Sequence, residues 1–384
     1  MKNSTLDKNI EEVEDVEFKT NNKTKKVKKT GWFSKLFTVL FTLGTLGIIT
    51  VLVLLYGPWS GFREWLVTTA MTTMTHQYFA TWFYDEETIE HILDKNKVVE
   101  IDEETDINAI HTGSIGNKVV NYENEYERAI LERDPKNNDY KIIEISEKKF
   151  DGYLVAVYEP SRVKTLVTAK LGTSGQYVTT MAKNNDALIA INGGGFDDPN
   201  FNSTGGSPLG ITVKNGEYVT TKTYAGSGGI IGFTEDDKLV LGKMTLQKAK
   251  EMKIRDAVTF GPFLIVNGKA SEVLGNGGWG TAPRTAIAQR KDGIVLFLVV
   301  DGRTATKPGA DMDDLIEILQ NYGAYNAANL DGGTSSVLVV NNIIVNDPID
   351  STGAHKTRPI ATGFMVTKDD SDDSDHTLVE EKIN

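Results

Sequence analysis

The sequence predicts an α+β domain of mostly antiparallel sheet with few helices, preceded by one N-terminal transmembrane helix. The domain is predicted because, between residues 141 and 367, short apolar runs alternate with Gly, Asn-Gly and Asp-Gly, the pattern of strands joined by hairpins. The transmembrane helix is predicted by an uncharged run of 21 residues, 36–56, which is long enough to cross the hydrocarbon core.

The strands of the domain are predicted from eight apolar runs. They are 153–158, 187–191, 229–233, 238–241, 263–266, 294–300, 337–340 and 360–366. Asn215-Gly216, Asn267-Gly268 and Asp292-Gly293 each lie between apolar runs and predict type I′ hairpins. One helix is predicted over 312–322, because its apolar residues share a face, Asp311 is a suitable N-cap and Gly323 a suitable stop.

The N-terminal third of the chain is predicted to anchor the domain at the cell membrane. Lysines 23, 25, 26, 28, 29 and 35 precede the apolar run, which predicts a cytoplasmic N-terminus and an extracellular domain. The run is longer than the core of a signal peptide, and no small-residue cleavage site precedes Gly57, so we expect a retained signal-anchor. The lipid bilayer is thus a predicted partner.

Six segments are predicted along the chain: a cytoplasmic tail (1–35), a transmembrane helix (36–56), a juxtamembrane helical segment (57–95), a polar linker (96–140), the domain (141–367) and an acidic tail (368–384). The aromatic residues of the juxtamembrane segment suit the membrane interface. Packing on the domain or on a second copy of the chain is the alternative.

Composition excludes several functional classes. The formal net charge of −12 argues against nucleic acid as a partner. The absence of cysteine excludes disulfides, thiolate metal sites and thiol nucleophiles. No cofactor is required by the sequence, although the many oxygen ligands leave Ca²⁺ possible.

Polar residues follow apolar strands at three places. In ALIAINGGGFD (187–197), the glycines after Asn192 predict either a backbone anion nest or a tight turn that needs positive φ. In the hairpin 283–303, antiparallel pairing should bring Arg284 near Asp301 and Arg303, as a ligand site or as a structural salt bridge.

The third place is AANLDGGTSSVLVV (327–340), where Asp331 follows the predicted helix and precedes a strand. Ser335 or Ser336 could serve as the nucleophile of an acyl hydrolase only with His355 as its base, because the other four histidines lie outside the domain. A substrate contact or an ordinary loop position is the alternative for His355.

Together these segments resemble the phosphodiester glycosidase family. The resemblance covers about 145–367 and rests on the predicted helix and on six motifs: INGGGF (191–196), GPFLIVNGK (261–269), PRTAIA (283–288), VVDGR (299–303), NLDGG with SS (329–336) and TRPIATGF (357–364). Thr334 departs from the pattern, since a third glycine is expected there. The membrane-anchored layout is similar to bacterial relatives associated with exopolysaccharide production.

The resemblance implies a hydrolase that cleaves a sugar 1-phosphodiester, of N-acetylhexosamine type, at its anomeric C–O bond on the outer membrane-facing surface, in cell-surface polysaccharide metabolism. The predicted catalytic residues are Asp301, Asp331 and Arg284. The predicted substrate-binding residues are Asn192, Gly193, Gly194, Arg303, Asn329, Gly332, Gly333, Ser335 and Arg358. A non-catalytic module that binds a phosphorylated glycan during assembly is the alternative, but two carboxylates would weaken such an anion site.

Overall fold

The structure is a computed structural model and describes residues 31–72, 77–113, 121–135, 137–197 and 204–368. The chain divides into two compact units, Met1–Pro58 and Trp59–Asn384. Residues 369–384 of the predicted acidic tail and residues 1–30 of the predicted cytoplasmic tail, which include lysines 23, 25, 26, 28 and 29, lie outside the described residues.

The first unit contains one described helix, α1 (Trp32–Tyr56). This helix is long and apolar enough to cross a membrane, and nearly all of its side chains are exposed. It begins at Trp32, four residues before the predicted span.

The second unit contains seven further helices among the described residues. They are α2 (Ser60–Thr72), α3 (Tyr78–Thr81), α4 (Glu86–Lys95), α5 (Glu125–Leu131), α6 (Val178–Asn184), α7 (Leu246–Glu251) and α8 (Met312–Asn321). Helices α2 to α4 pack on one another around Val67, Ala80 and Ile92. The side chains of Trp65 and Trp82 remain 51% and 72% exposed, so the small helical core does not use them.

Nineteen strands are found in the described residues. They are β1 (Val98–Val99), β2 (Tyr140–Ser146), β3 (Asp151–Val157), β4 (Val163–Val167), β5 (Ala187–Asn192), β6 (Ile211–Lys214), β7 (Glu217–Thr221), β8 (Gly229–Thr234), β9 (Leu239–Gly242), β10 (Ile254–Phe260), β11 (Phe263–Val266), β12 (Lys269–Ala270), β13 (Glu272–Val273), β14 (Arg284–Arg290), β15 (Val295–Val300), β16 (Ala324–Asn329), β17 (Leu338–Val340), β18 (Ile343–Ile344) and β19 (Thr362–Thr367).

The strands form three large sheets and one two-stranded ribbon. Their orders are β12-β11-β16-β14-β15-β3-β2, β18-β17-β5-β19-β4, β7-β6-β10-β8-β9 and β1-β13. Each ladder between described strands is antiparallel, which confirms the predicted α+β class with mostly antiparallel sheet.

One apolar core joins the three sheets. Phe297 of the seven-stranded sheet, Phe364 of the second sheet and Phe233 of the third belong to the same buried cluster. The opposite face of the seven-stranded sheet is covered by α8, through Leu315 and Leu319. The seven-stranded sheet is therefore buried on both faces, which explains why β15 reads as a continuous apolar run.

Two of the three predicted turns have the predicted geometry. Both residues of Asn215-Gly216 and of Asn267-Gly268 have positive φ, as type I′ requires. The Asp292-Gly293 prediction was wrong in turn type, because only Gly293 has positive φ. Gly293 N–H donates to Arg290 O at 3.1 Å, so the connection is a type I turn followed by a left-handed glycine.

The segment predicted as a linker contains residues that pack on the domain. In its first part, which we name the strap (97–113), Glu100 accepts a hydrogen bond from Phe263 N–H at 2.8 Å and forms an ion pair with Lys243 at 2.8 Å. The Thr105 hydroxyl donates to Leu241 O at 2.8 Å. The polar residues that indicated a spacer thus form hydrogen bonds and an ion pair with neighbouring strands. The boundaries of the predicted segments stay predictions.

Candidate functional site

The predicted site motifs meet at one end of the sheets. Because β14 is antiparallel to β15 and β16, its first residue, Arg284, pairs with Val300, the last residue of β15. The second sheet joins them, since Asp331 N–H donates to Gly193 O at 2.9 Å. Asp331 lies two residues after the end of β16, and the strand that the sequence predicted after it, at 337–340, is β17.

Asp331 forms the centre of a charged hydrogen-bond network. Arg358 Nη2 donates to Asp331 Oδ2 at 3.0 Å, and Arg358 Nε donates to Ser335 Oγ at 2.7 Å. Gly332 N–H donates to the other carboxylate oxygen at 3.0 Å. The guanidinium also lies 4.6 Å from the centre of the Phe196 ring. Arg358 is thereby oriented on three sides, and about a third of its side chain stays exposed.

Arg303 lies next to this network. It has a left-handed backbone (φ 65°), and its Nη1 donates to Thr334 Oγ1 and to Ile349 O, each at 2.8 Å. Burial lowers the pKa of Arg303; the charge of Asp350 opposes this shift, and the charge of Arg358 adds to it. The threonine that departs from the family pattern therefore supplies a hydroxyl acceptor for a predicted substrate-binding arginine.

Arg284 is built into the frame of the site. Its Nη2 donates to Trp279 O at 2.5 Å and Gly280 O at 2.7 Å, and its Nε donates to Ala310 O at 3.3 Å. Burial lowers its pKa to about 10. Nη1 alone makes no hydrogen bond to the described residues, and Arg284 is only 4% exposed.

Asp301 lies apart from the arginines. Its oxygens accept hydrogen bonds from Asn346 Nδ2 at 2.8 Å and from Asp347 N–H at 3.0 Å. No ion pair between Asp301 and Arg284 or Arg303 occurs among the described residues. The alternation of side chains along a strand explains this separation. Arg284 lies on the same sheet face as its pair, Val300, and Asp301, the next residue after Val300, lies on the opposite face. Burial raises the pKa of Asp301, and the Asp347 and Asp151 charges raise it further.

Asn192 and Asn329 are fully buried. Asn192 Oδ1 accepts from Thr285 Oγ1 at 2.7 Å, and its Nδ2 donates to Asp331 O, so its amide joins the two sheets. Asn329 Nδ2 donates to Gly261 O at 2.9 Å, whereas its Oδ1 has no partner among the described residues. That buried oxygen is an unfilled acceptor at the site.

The glycines of the two motifs serve close packing. The N–H groups of Gly193 and Gly194 donate to the backbone and the hydroxyl of Thr362, and Gly333 N–H donates to Pro283 O. A Cβ at Gly194 would lie 2.7 Å from Thr259 O. Neither predicted alternative for 193–195 is found, because these N–H groups are already used and none of the three glycines has positive φ.

The described residues contain no Ser–His pair of the hydrolase type. His355 Nδ1 lies 2.6 Å from Asp347 Oδ1, and both side chains are exposed. Ser335 contacts Arg358 instead. No cluster of three or more His, Asp or Glu side chains that could hold a metal ion is found in the part of the chain that the structure describes.

Sequence reasoning missed Asn346, Asp347 and Phe196 as site residues. Asn346 and Asp347 precede a proline and resemble an ordinary turn, so nothing in the local pattern singled them out. A cavity of about 570 Å³ lies elsewhere, lined by residues such as Tyr224, Lys243 and Thr259 and by none of the predicted site residues.

Comparison with known proteins identifies the family of this region. Residues 185–367 match the family model described as phosphodiester glycosidase. These residues form a phosphodiester glycosidase-family domain. The resemblance carried by the sequence motifs is thereby confirmed, and the matched range contains Phe196, Asp331, Gly332, Ser335 and Arg358.

Two curated relatives share part of the phosphodiester glycosidase region. The SPbeta prophage-derived uncharacterized protein YomE of Bacillus subtilis is 27% identical over 187 residues, which are 46% of this chain and 28% of that protein. The N-acetylglucosamine-1-phosphodiester alpha-N-acetylglucosaminidase of Mus musculus is 27% identical over 190 residues, 42% of this chain and 33% of that protein. The chain thus matches a third or less of each relative's length.

A solved structure shares the fold. The catalytic domain of the zebrafish N-acetylglucosamine-1-phosphodiester alpha-N-acetylglucosaminidase, auto-inhibited by its pro-peptide, superposes with a TM-score of 0.51 at 23% identity. The match covers 60% of this chain and 82% of that one. It supports the antiparallel architecture of the phosphodiester glycosidase domain.

Proposed function

We propose that the protein hydrolyses a sugar 1-phosphodiester at the anomeric C–O bond. The observation that carries the proposal is the Arg358 guanidinium, which donates at once to the Asp331 carboxylate and to Ser335, with Arg303 beside it. A cluster of guanidiniums around one carboxylate suits a substrate that presents a phosphate next to the bond to be broken.

The leaving group of this reaction is a phosphate monoester, which is already an anion at neutral pH and needs little protonation. Arg358, Arg303 and the Nη1 edge of Arg284 hold its oxygens and stabilise the charge that grows as the C–O bond breaks. Asp331, whose orientation is fixed by Arg358 and Gly332, faces the oxocarbenium-like carbon as nucleophile or electrostatic partner.

Asp301 accepts the proton of the attacking water. Its pKa is raised by burial, which makes the ionised carboxylate a stronger base than an ordinary aspartate. The buried Asn329 Oδ1, which lacks a partner, accepts a hydrogen bond from a sugar hydroxyl or amide.

The finer parts of the proposal concern substrate and place. The phosphodiester in the printed name of the mouse relative supports an N-acetylhexosamine 1-phosphodiester as the first substrate to test. Helix α1 supports a signal-anchor in the cell membrane. The lysines that precede it in the sequence support a catalytic domain outside, where a cell-surface glycan such as an exopolysaccharide precursor would be the substrate.

The test uses the full chain in detergent with a panel of sugar 1-phosphodiesters, and measures the released sugar and phosphomonoester. Asp331→Asn and Asp301→Asn should each lower kcat by about 10³-fold or more without changing the melting temperature by more than a few degrees. Asp292→Asn, at the opposite end of β14, is the matched control and should keep wild-type turnover. Binding of the substrates without turnover by the parent chain would instead support the glycan-binding module.

A further inference from the structure

The short segment Asn346-Asp347 holds both oxygens of the Asp301 carboxylate. Asn346 Nδ2 donates to Oδ1 at 2.8 Å, and Asp347 N–H donates to Oδ2 at 3.0 Å. Asn346 is only 7% exposed. The Asp301 carboxylate is therefore fixed in orientation by a segment that lies more than forty residues later in the chain.

The amide of Asn346 can adopt only one orientation. Its Oδ1 accepts a hydrogen bond from Leu338 N–H at 2.8 Å, and its Nδ2 also lies 3.3 Å from Ser336 O. A flipped amide would place a donor against the Leu338 N–H and an acceptor against the carboxylate, so three contacts exclude it. Asn346 thereby links Asp301 to the segment that follows the Asp331 loop.

The charges around Asp301 oppose its ionisation. Burial, together with the charges of Asp347 and Asp151, raises the pKa of Asp301, and burial together with the Asp301 charge raises the pKa of the neighbouring Tyr153. Asp151 is itself paired with Lys307, and Asp347 with His355. No cation pairs with Asp301 among the described residues, so the donors from Asn346 and Asp347 N–H are the interactions that stabilise its charged form.

We propose that Asn346 is a positioning residue, whose amide holds the Asp301 carboxylate ionised and aligned relative to the Asp331 loop. The inference rests on the proposed hydrolysis, in which Asp301 takes a proton from water. It assigns to Asn346 a role that no residue of the six sequence motifs fills.

The decisive variant is Asn346→Asp, which keeps the shape of the side chain and the acceptor for Leu338 N–H. It replaces the donor that faces Asp301 with an acceptor oxygen. The acid limb of the pH profile of kcat/KM should move upward by at least about one pH unit, with activity at neutral pH reduced about tenfold or more and partly restored at higher pH.

The matched control is Asn326→Asp in β16, a second buried amide whose oxygen accepts from a backbone N–H and whose nitrogen donates to a carbonyl. It should lower the melting temperature and leave the pH profile in place. If Asn346→Asp also lowers kcat/KM equally at every pH, Asn346 is merely structural and the proposal is wrong. Asn346→Ala gives the same readout if the aspartate variant does not fold.

A measurement without turnover separates this inference from the proposed function. In full-length protein labelled with ¹³C-carboxyl aspartate, the Asp301 resonance is assigned by its loss in Asp301→Asn. Its titration midpoint should rise in Asn346→Asp and in Asn346→Ala, whether or not the parent cleaves a phosphodiester. An unchanged midpoint would overturn the role of Asn346, whereas a shifted midpoint in a parent without turnover would reject only the proposed function.

Discussion

Replacing Ser335 with alanine tests how the Asp331 network works. The change removes the 2.7 Å hydrogen bond that Ser335 Oγ accepts from Arg358 Nε and leaves the Arg358–Asp331 pair in place. A hydrogen bond to a charged group contributes about 1.5–3 kcal/mol. If the bond acts fully in the transition state, kcat/KM on a sugar 1-phosphodiester should fall about 10- to 150-fold.

The assay compares the parent, Ser335→Ala, Arg358→Lys and the double variant on one substrate. Lysine keeps the charge but cannot reach both partners, so the serine change should cost little more in the Arg358→Lys background. Ser336→Ala is the matched control, because the buried Ser336 hydroxyl makes no hydrogen bond to the described residues. Independent, additive losses would refute the network, and a loss on the order of 10⁴-fold or more for Ser335→Ala alone would identify a nucleophile.

Three further predictions concern stability and topology. Asp256→Asn should cost about 3–5 kcal/mol in urea unfolding, because the buried carboxylate accepts from Arg255 at 2.5 Å and from Thr165 N–H at 2.8 Å; a loss below about 1 kcal/mol would contradict this. Burial raises the pKa of Tyr158 to about 12, so the contribution of its protonated hydroxyl to the free energy of unfolding is full below about pH 10 and is lost as the pH rises towards 12. Tyr158→Phe should therefore flatten the dependence of the free energy of unfolding on pH in this range. An unaltered dependence would contradict this pKa shift. Protease added to intact cells should remove the domain 141–367 and spare an N-terminal tag, whereas full protection would place the domain inside.

Local turn chemistry explains which parts of the fold the sequence could predict. Asn267-Gly268 has the dipeptide that a type I′ turn needs, and β11 matches its apolar run at 263–266. Strand β16, with the sequence AYNAAN, was missed because alanine and asparagine are depleted in strands. Its pairing with β11 and β14 overrides that preference, and pairing partners are not visible in a local pattern.

The sequence could predict which strand ends meet at the candidate site, but it could not predict which side chains contact one another there. Antiparallel pairing correctly placed the first residue of β14 beside the end of β15, but the side chains of Arg284 and Asp301 extend to opposite faces of the sheet. The partners that Arg284 does have are three carbonyl groups on loops, and the partner of Asp301 is an amide from a distant turn. Such contacts depend on tertiary structure, so no spacing in the sequence reports them.

The strap has a consequence for solubility. Strand β9 is the outer strand of its sheet, and an outer strand exposes peptide groups that can pair with another molecule. The peptide groups of Leu241 in β9 are paired with the Thr105 hydroxyl instead, which accepts from the Leu241 N–H at 3.0 Å and donates to the Leu241 carbonyl oxygen. A chain shortened to begin at residue 141 would leave these peptide groups open to strand addition, so we expect it to self-associate into aggregates that a chain beginning before residue 97 does not form.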